Sequence, residues 1–114
     1  MLNLSLTQVI QIVFEGEELT EAHGRAIWVM LANADLYPTF NLITEPWDTS
    51  YNISGSFRYN GGEIARAIDK DKYDYLDFYC SSATWEEVSE MMDKFKAKGF
   101  VVVPDMEYPN YYVA

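Results

Sequence analysis

The 114-residue sequence predicts an α+β fold: a four- to five-stranded antiparallel or mixed sheet with helices mainly on one face. Three observations lead there. Residues 84–99 read as a capped amphipathic helix, apolar stretches with strand character lie on either side of it, and residues 41–59 change from a helical to a two-residue hydrophobic period. Two strands bracketing a helix in a short chain make a right-handed crossover with parallel strands, so the C-terminal half is expected to be a β-α-β unit.

Taken in order, Leu6, Val9, Ile10, Val13 and Phe14 fall on one helical face, Ser5 and Gln8 are spaced as a capping box, and Gly16 is placed to close the helix. Several of these residues are β-branched and Leu2, Leu4 and Leu6 alternate as in a strand, yet helix is the preferred reading of residues 5–15. A second helix is expected over residues 21–36, with Thr20 as N-cap and Glu21 where the helix dipole favours an anion. Its core face is Ala22, Ala26, Ile27, Met30, Leu31 and Ala34, widened by Trp28 and Val29, and Pro38 stops it.

Residues 41–44 and 51–59 read as an antiparallel hairpin joined around Pro46, Trp47 and Asp48. Asn60, Gly61 and Gly62 break the chain, and residues 63–68 form a short helix or turn with Asn60 and Glu63 as its capping pair. After a solvated linker at 69–72, the stretch from Tyr73 to Cys80 reads as a strand. Thr84 and Glu87 then form a capping box, and Trp85, Val88, Met92 and Phe95, with Met91 beside them, make an apolar stripe. Lys94, Lys96 and Lys98 followed by Gly99 mark the helix end, and residues 100–103 are the second strand. Residues 105–114 supply an edge strand beyond Pro109.

A hydrophobic fraction of 49% and an aromatic fraction of 16% provide a packed core, read as a single domain over residues 1–114. The one cysteine, Cys80, excludes an internal disulfide framework and a cysteine-rich zinc site, and is expected to act as a small buried hydrophobe in a reducing compartment. With neither a signal-peptide pattern nor a membrane-length apolar run, the expectation is a soluble cytoplasmic protein. The net charge of -10 argues against direct binding to nucleic acid or an anionic membrane and favours a basic protein as partner. Residues 1–57 hold seven acids and one base, residues 58–114 eleven acids and seven bases. The first half is the purer anion.

Three features are candidate partner-binding sites. Glu86, Glu90 and Asp93 stand at i, i+4 and i+7 with Glu87 alongside, which spaces successive carboxylates by roughly 5–6 Å. Phosphates along a nucleic-acid strand have a similar spacing, so the row can occupy an arginine- and lysine-lined groove in their place. It can equally serve only as a solvated helix face. Glu15, Glu17 and Glu18, followed by Glu21, form a second cluster at the turn between the first two helices. Aromatic anchors are the third: of the many tyrosines, Tyr108, Tyr111 and Tyr112 at the C-terminal edge are placed to stack on arginine while neighbouring carboxylates pair with it. Covering a second sheet face is the alternative use for such tyrosines.

Catalytic patterns are lacking. His23, the one histidine, lies early in a helix, where a surface or capping role is expected. Cys80 has no cationic sequence neighbour to activate it. Asp69, Asp71, Asp74 and Asp77 miss the calcium-loop pattern at its fifth, sixth and twelfth positions, and Asn60-Gly61-Gly62 lacks the lysine of a phosphate-binding loop. The expectation is a protein that is not an enzyme, with no metal and no cofactor.

In size, acidity and aromatic content the chain resembles the phage- and plasmid-encoded inhibitors of host nucleic-acid enzymes, including anti-restriction and anti-CRISPR proteins. The resemblance is one of composition and transfers no residue role. It implies a non-enzymatic inhibitor that binds a basic, nucleic-acid-handling protein and occupies its nucleic-acid surface. Two alternatives stay open: an immunity or antitoxin-type protein that neutralises a basic toxin, and a small sensory domain with an apolar ligand pocket. Neither the partner's identity nor the oligomeric state is encoded in a recognisable pattern.

Overall fold

The computed structural model describes residues 2–38, 51–53, 61–104 and 112–113. Local hydrogen bonding starts three helices where the sequence predicts. Ser5 Oγ accepts the Gln8 N–H at 3.2 Å while Gln8 Oε1 accepts the Ser5 N–H at 2.8 Å, opening α1 (Leu6–Val13). Thr20 opens α2 (Glu21–Asn33), with His23 rather than an acid completing the box: its Nδ1 accepts the Thr20 N–H at 3.3 Å. Thr84 and Glu87 open α4 (Trp85–Ala97). Gly16 and Gly99 follow α1 and α4 in left-handed conformations, with φ of 80° and 93°. Between α2 and α4 lies α3 (Gly61–Asp69).

The core is built around α2. Gly24 and every residue from Ala26 to Asn33 are buried, so this helix has no solvated face over its C-terminal two thirds. Trp28, Ile27, Met30 and Leu31 are among its largest fully buried side chains, each contributing about 1.5–3 kcal/mol of hydrophobic stabilisation. α3 and α4 both pack on α2, and α1 closes against α3 and α4. Ala22, expected on the core face, is exposed because it precedes the buried stretch.

The α+β expectation is overturned. The described part is mostly helical, and no four- to five-stranded sheet forms among the described residues. Among the described residues, extended segments of three to five residues pair two by two. β1 (Leu2–Leu4) runs parallel to β3 (Tyr51–Ile53), with Leu2 opposite Tyr51. β2 (Ala34–Pro38) runs antiparallel to β4 (Phe100–Pro104), with Ala34 opposite Pro104 and Pro38 opposite Phe100. The described partner of β3 is thus β1; the hairpin's other arm, residues 41–44, and residues 54–59 lie outside the described residues.

The C-terminal β-α-β unit fails at its first strand. Residues 75–77 form a 3₁₀ turn, because two aspartates satisfy the backbone locally: Asp74 Oδ1 accepts the Leu76 N–H and Asp77 Oδ2 accepts the Asp74 N–H, each at 2.8 Å. Phe78 alone in residues 74–80 is buried, so the alternation of tyrosine and aspartate does not record two faces of a sheet. Cys80, expected inside, is exposed and sits at φ 56° where the chain leaves the turn. The second helix likewise ends three residues early. Asn33 Nδ2 donates to the Val29 carbonyl at 2.8 Å and Ala34 is already extended, so the backbone continues into the ladder with β4. On α4, Val88, Met91 and Phe95 are buried, but Trp85 at the head of the stripe is 47% exposed. Of the expected C-terminal edge strand, residues 105–111 and 114 lie outside the described residues, and Val113 forms a parallel bridge with Ala83.

Among the described residues, no helix is long and apolar enough to cross a membrane.

Candidate acidic docking surface

α4 turns its carboxylates away from the core, which takes Val88, Met91 and Phe95. Glu86, Glu90 and Asp93 are exposed, and among the described residues none has a cation within ion-pair distance. Glu87 stands beside them but is engaged: its Oε1 accepts the Thr84 N–H and the Thr84 hydroxyl, each at 3.0 Å. The backbone bond first, then the hydroxyl bond, outweighs slight burial and holds this carboxyl below its ordinary value. It is a fixed negative charge at the positive end of the helix dipole.

The turn after α1 exposes Glu15, Glu17 and Glu18. Tertiary structure brings it to α4, since Lys94 Nζ lies 3.0 Å from Glu17 Oε1 and 5.5 Å from the Phe14 ring centroid. Two acidic clusters separated by 77 positions between Glu17 and Lys94 therefore border one surface, with this lysine as the joint. Glu21 is paired with Arg25 at 2.8 Å.

Between α2 and α4 lies a groove of about 180 Å³, lined by Ala22, His23, Ala26, Glu87, Glu90, Met91 and Lys94. His23 faces it as a capping residue. With Nδ1 accepting from Thr20, the neutral ring carries its proton on Nε2, and the ring packs on Phe14 with centroids 4.9 Å apart. Among the described residues no group of His, Cys, Asp or Glu side chains is placed to hold a metal ion.

Of the predicted aromatic anchors, Tyr112 is described. It stands 40% exposed and meets the buried Trp28 edge-on at a centroid distance of 4.8 Å, while the Ala83 N–H donates to its carbonyl at 3.3 Å. Tyr108 and Tyr111 lie outside the described residues. Sequence reasoning did not single out the 3₁₀ turn, where Tyr75, Leu76 and Tyr79 are all more than half exposed beside Asp74 and Asp77. The aspartate at the start of that turn was the available signal, since a short polar side chain there caps a turn and breaks the sheet face that would have buried its neighbours.

No protein-family model matches the chain, and no curated protein and no solved structure matches it either.

Proposed function

We propose that the protein is a non-enzymatic acidic inhibitor, of the anti-restriction or anti-CRISPR type, that acts in the cytoplasm on a basic nucleic-acid-handling protein. The observation that carries this reading is the outward row of Glu86, Glu90 and Asp93 on a helix whose opposite side is anchored in the core. The helix backbone fixes the attachment points of such a row before binding, so only side-chain freedom is lost when its charges meet a partner's arginines and lysines. At roughly 5–6 Å per helical turn they stand where successive phosphates would. Lys94 joins the turn carrying Glu15, Glu17 and Glu18 to the same surface, and Tyr112 offers a ring for cation stacking. The groove's 180 Å³ is below the roughly 300–1,000 Å³ of ordinary small-molecule sites, and so lends no support to a metabolite pocket.

The test is binding to a nuclease recovered from a host lysate by the immobilised protein. Support requires that the retained protein be a nucleic-acid enzyme, that duplex DNA or guide RNA displace it, and that the Glu86→Lys, Glu90→Lys double variant bind at least tenfold more weakly. The double variant should keep its stability within about 0.5 kcal/mol, since both positions are on the surface. Equal affinity of a folded double variant removes α4 from the site. Recovery of a toxin as the sole partner favours the immunity-type alternative.

A further inference from the structure

The groove between α2 and α4 combines an apolar floor with an anionic wall. Ala22, Ala26 and Met91 supply small or flexible apolar surface, and Glu87 and Glu90 line the same space from one helix. At i and i+3 their Cβ atoms are about 5–6 Å apart, a span that one planar guanidinium can bridge. The lysine that also lines the groove is committed elsewhere, because Glu17 Oε1 and the Phe14 ring hold the Lys94 ammonium. Glu90 is left exposed and, among the described residues, without a cation in ion-pair range. The free volume of about 180 Å³ is of single-side-chain size.

We propose that this groove receives one arginine side chain of the basic partner, its methylene stem over Ala22, Ala26 and Met91 and its guanidinium between Glu87 and Glu90. The inference rests on the reading of the protein as a binder of basic partners and names the point where one cation is bound specifically instead of by field alone. Arginine fits better than lysine because its fork can donate to both carboxylates at once, whereas an ammonium is a single point. Glu17 is a positioning residue in this scheme. By holding Lys94, it keeps an internal cation away from Glu90.

The experiment is a ¹⁵N-resolved NMR titration with N-acetylarginine amide at constant ionic strength, repeated with the lysine and the neutral citrulline counterparts. The expected result is weak saturable binding, with shifts concentrated at Ala22, His23, Ala26, Glu90 and Met91. Citrulline should produce none of these shifts and lysine weaker ones. Glu90→Gln should weaken arginine binding about two- to fivefold, the upper part of the range for one largely exposed charge pair. Glu17→Gln should also weaken it, by releasing Lys94 onto Glu90, whereas Glu18→Gln, an equal charge loss on the same turn, should not. Shifts spread evenly over the acidic surface, an equal response to citrulline or lysine, or an unaffected Glu90→Gln variant would overturn the proposal, and equal effects of the two turn variants would overturn the part assigned to Lys94. The two readings fail separately. Arginine binding in the groove without any captured nucleic-acid enzyme defeats the inhibitor reading alone; a captured enzyme sensitive to Glu86→Lys but indifferent to Glu90→Gln defeats the groove alone.

Discussion

Replacing Glu63 by alanine removes a carboxylate that joins α3 to the start of α1. Thr7 is the second residue of α1, so its N–H has no partner within the helix. Glu63 Oε2 accepts that N–H at 2.8 Å and also takes the Thr7 hydroxyl, which stands 3.1 Å from the Glu63 carbonyl. Oε1 pairs with Arg66 at 2.8 Å. A hydrogen bond to a charged group is worth about 1.5–3 kcal/mol, and the exposed Arg66 pair adds between about 0 and 1 kcal/mol. Glu63→Ala is therefore expected to cost about 1.5–4 kcal/mol. At roughly 4–6 °C per kcal/mol for a domain of this length, Tm should fall by about 6–24 °C, measured by circular dichroism at pH 7. Glu63→Gln keeps an acceptor for the Thr7 N–H and should lose about half as much.

The same group sets a pH dependence. Burial raises the Glu63 pKa, but the bonds from Thr7 and the charge and bond of Arg66 together outweigh it and hold the group below its ordinary 4.5. A depressed folded-state pKa means that this contribution is fully present above pH 4.5 and is lost as pH falls through the lower, folded value. The stability gap between the natural protein and Glu63→Gln should accordingly close in acid. An alanine variant melting within about 2 °C of the natural protein, or a gap with the glutamine variant that is the same at pH 7 and in acid, would refute the reasoning.

Two further predictions concern the scaffold of the docking surface. Gly24→Ala should destabilise by about 1 kcal/mol in urea titrations, because overpacking costs about 1–3 kcal/mol against about 1 kcal/mol gained in helix propensity. A Cβ at that position would stand 2.5 Å from Phe78 Cε1 and 2.7 Å from Ile68 Cδ1, and Phe78 is fully buried. A variant of raised stability would place α2 farther from the turn. Thr84→Ala should cost about 1 kcal/mol by removing the N-cap of α4. It should also move the Glu87 carboxyl back up toward its ordinary value, since the Thr84 hydroxyl is one of the two bonds that lower it. Carbon-detected NMR titration of Glu87 reads this directly, and an unchanged titration would mean that the hydroxyl bond does not form in solution.

What the sequence alone determined is what depends on neighbours within four positions. Ser5 with Gln8, Thr20 as a cap, Thr84 with Glu87 and the glycines at 16 and 99 start or end helices through local hydrogen bonds and backbone freedom, and they do so in the structure. The apolar positions of α1 and most of those of α4 follow for the same reason, as does the outward row of Glu86, Glu90 and Asp93. Tertiary structure decided the rest. Whether Tyr73 to Cys80 became a strand depended on a neighbouring strand, and the local bonds of Asp74 and Asp77 made a turn without one. The ladder of β2 with β4, which shortened the second helix, pairs residues more than sixty positions apart. Glu63 accepts the Thr7 N–H at the start of α1 from 56 positions away, while Asn60, its expected capping partner, lies outside the described residues. The union of the two acidic clusters is made by Lys94, which meets Glu17 and the Phe14 ring. Each of these outcomes is set by which surfaces meet when α2 is buried, and a one-dimensional pattern of charge and hydropathy carries no record of that.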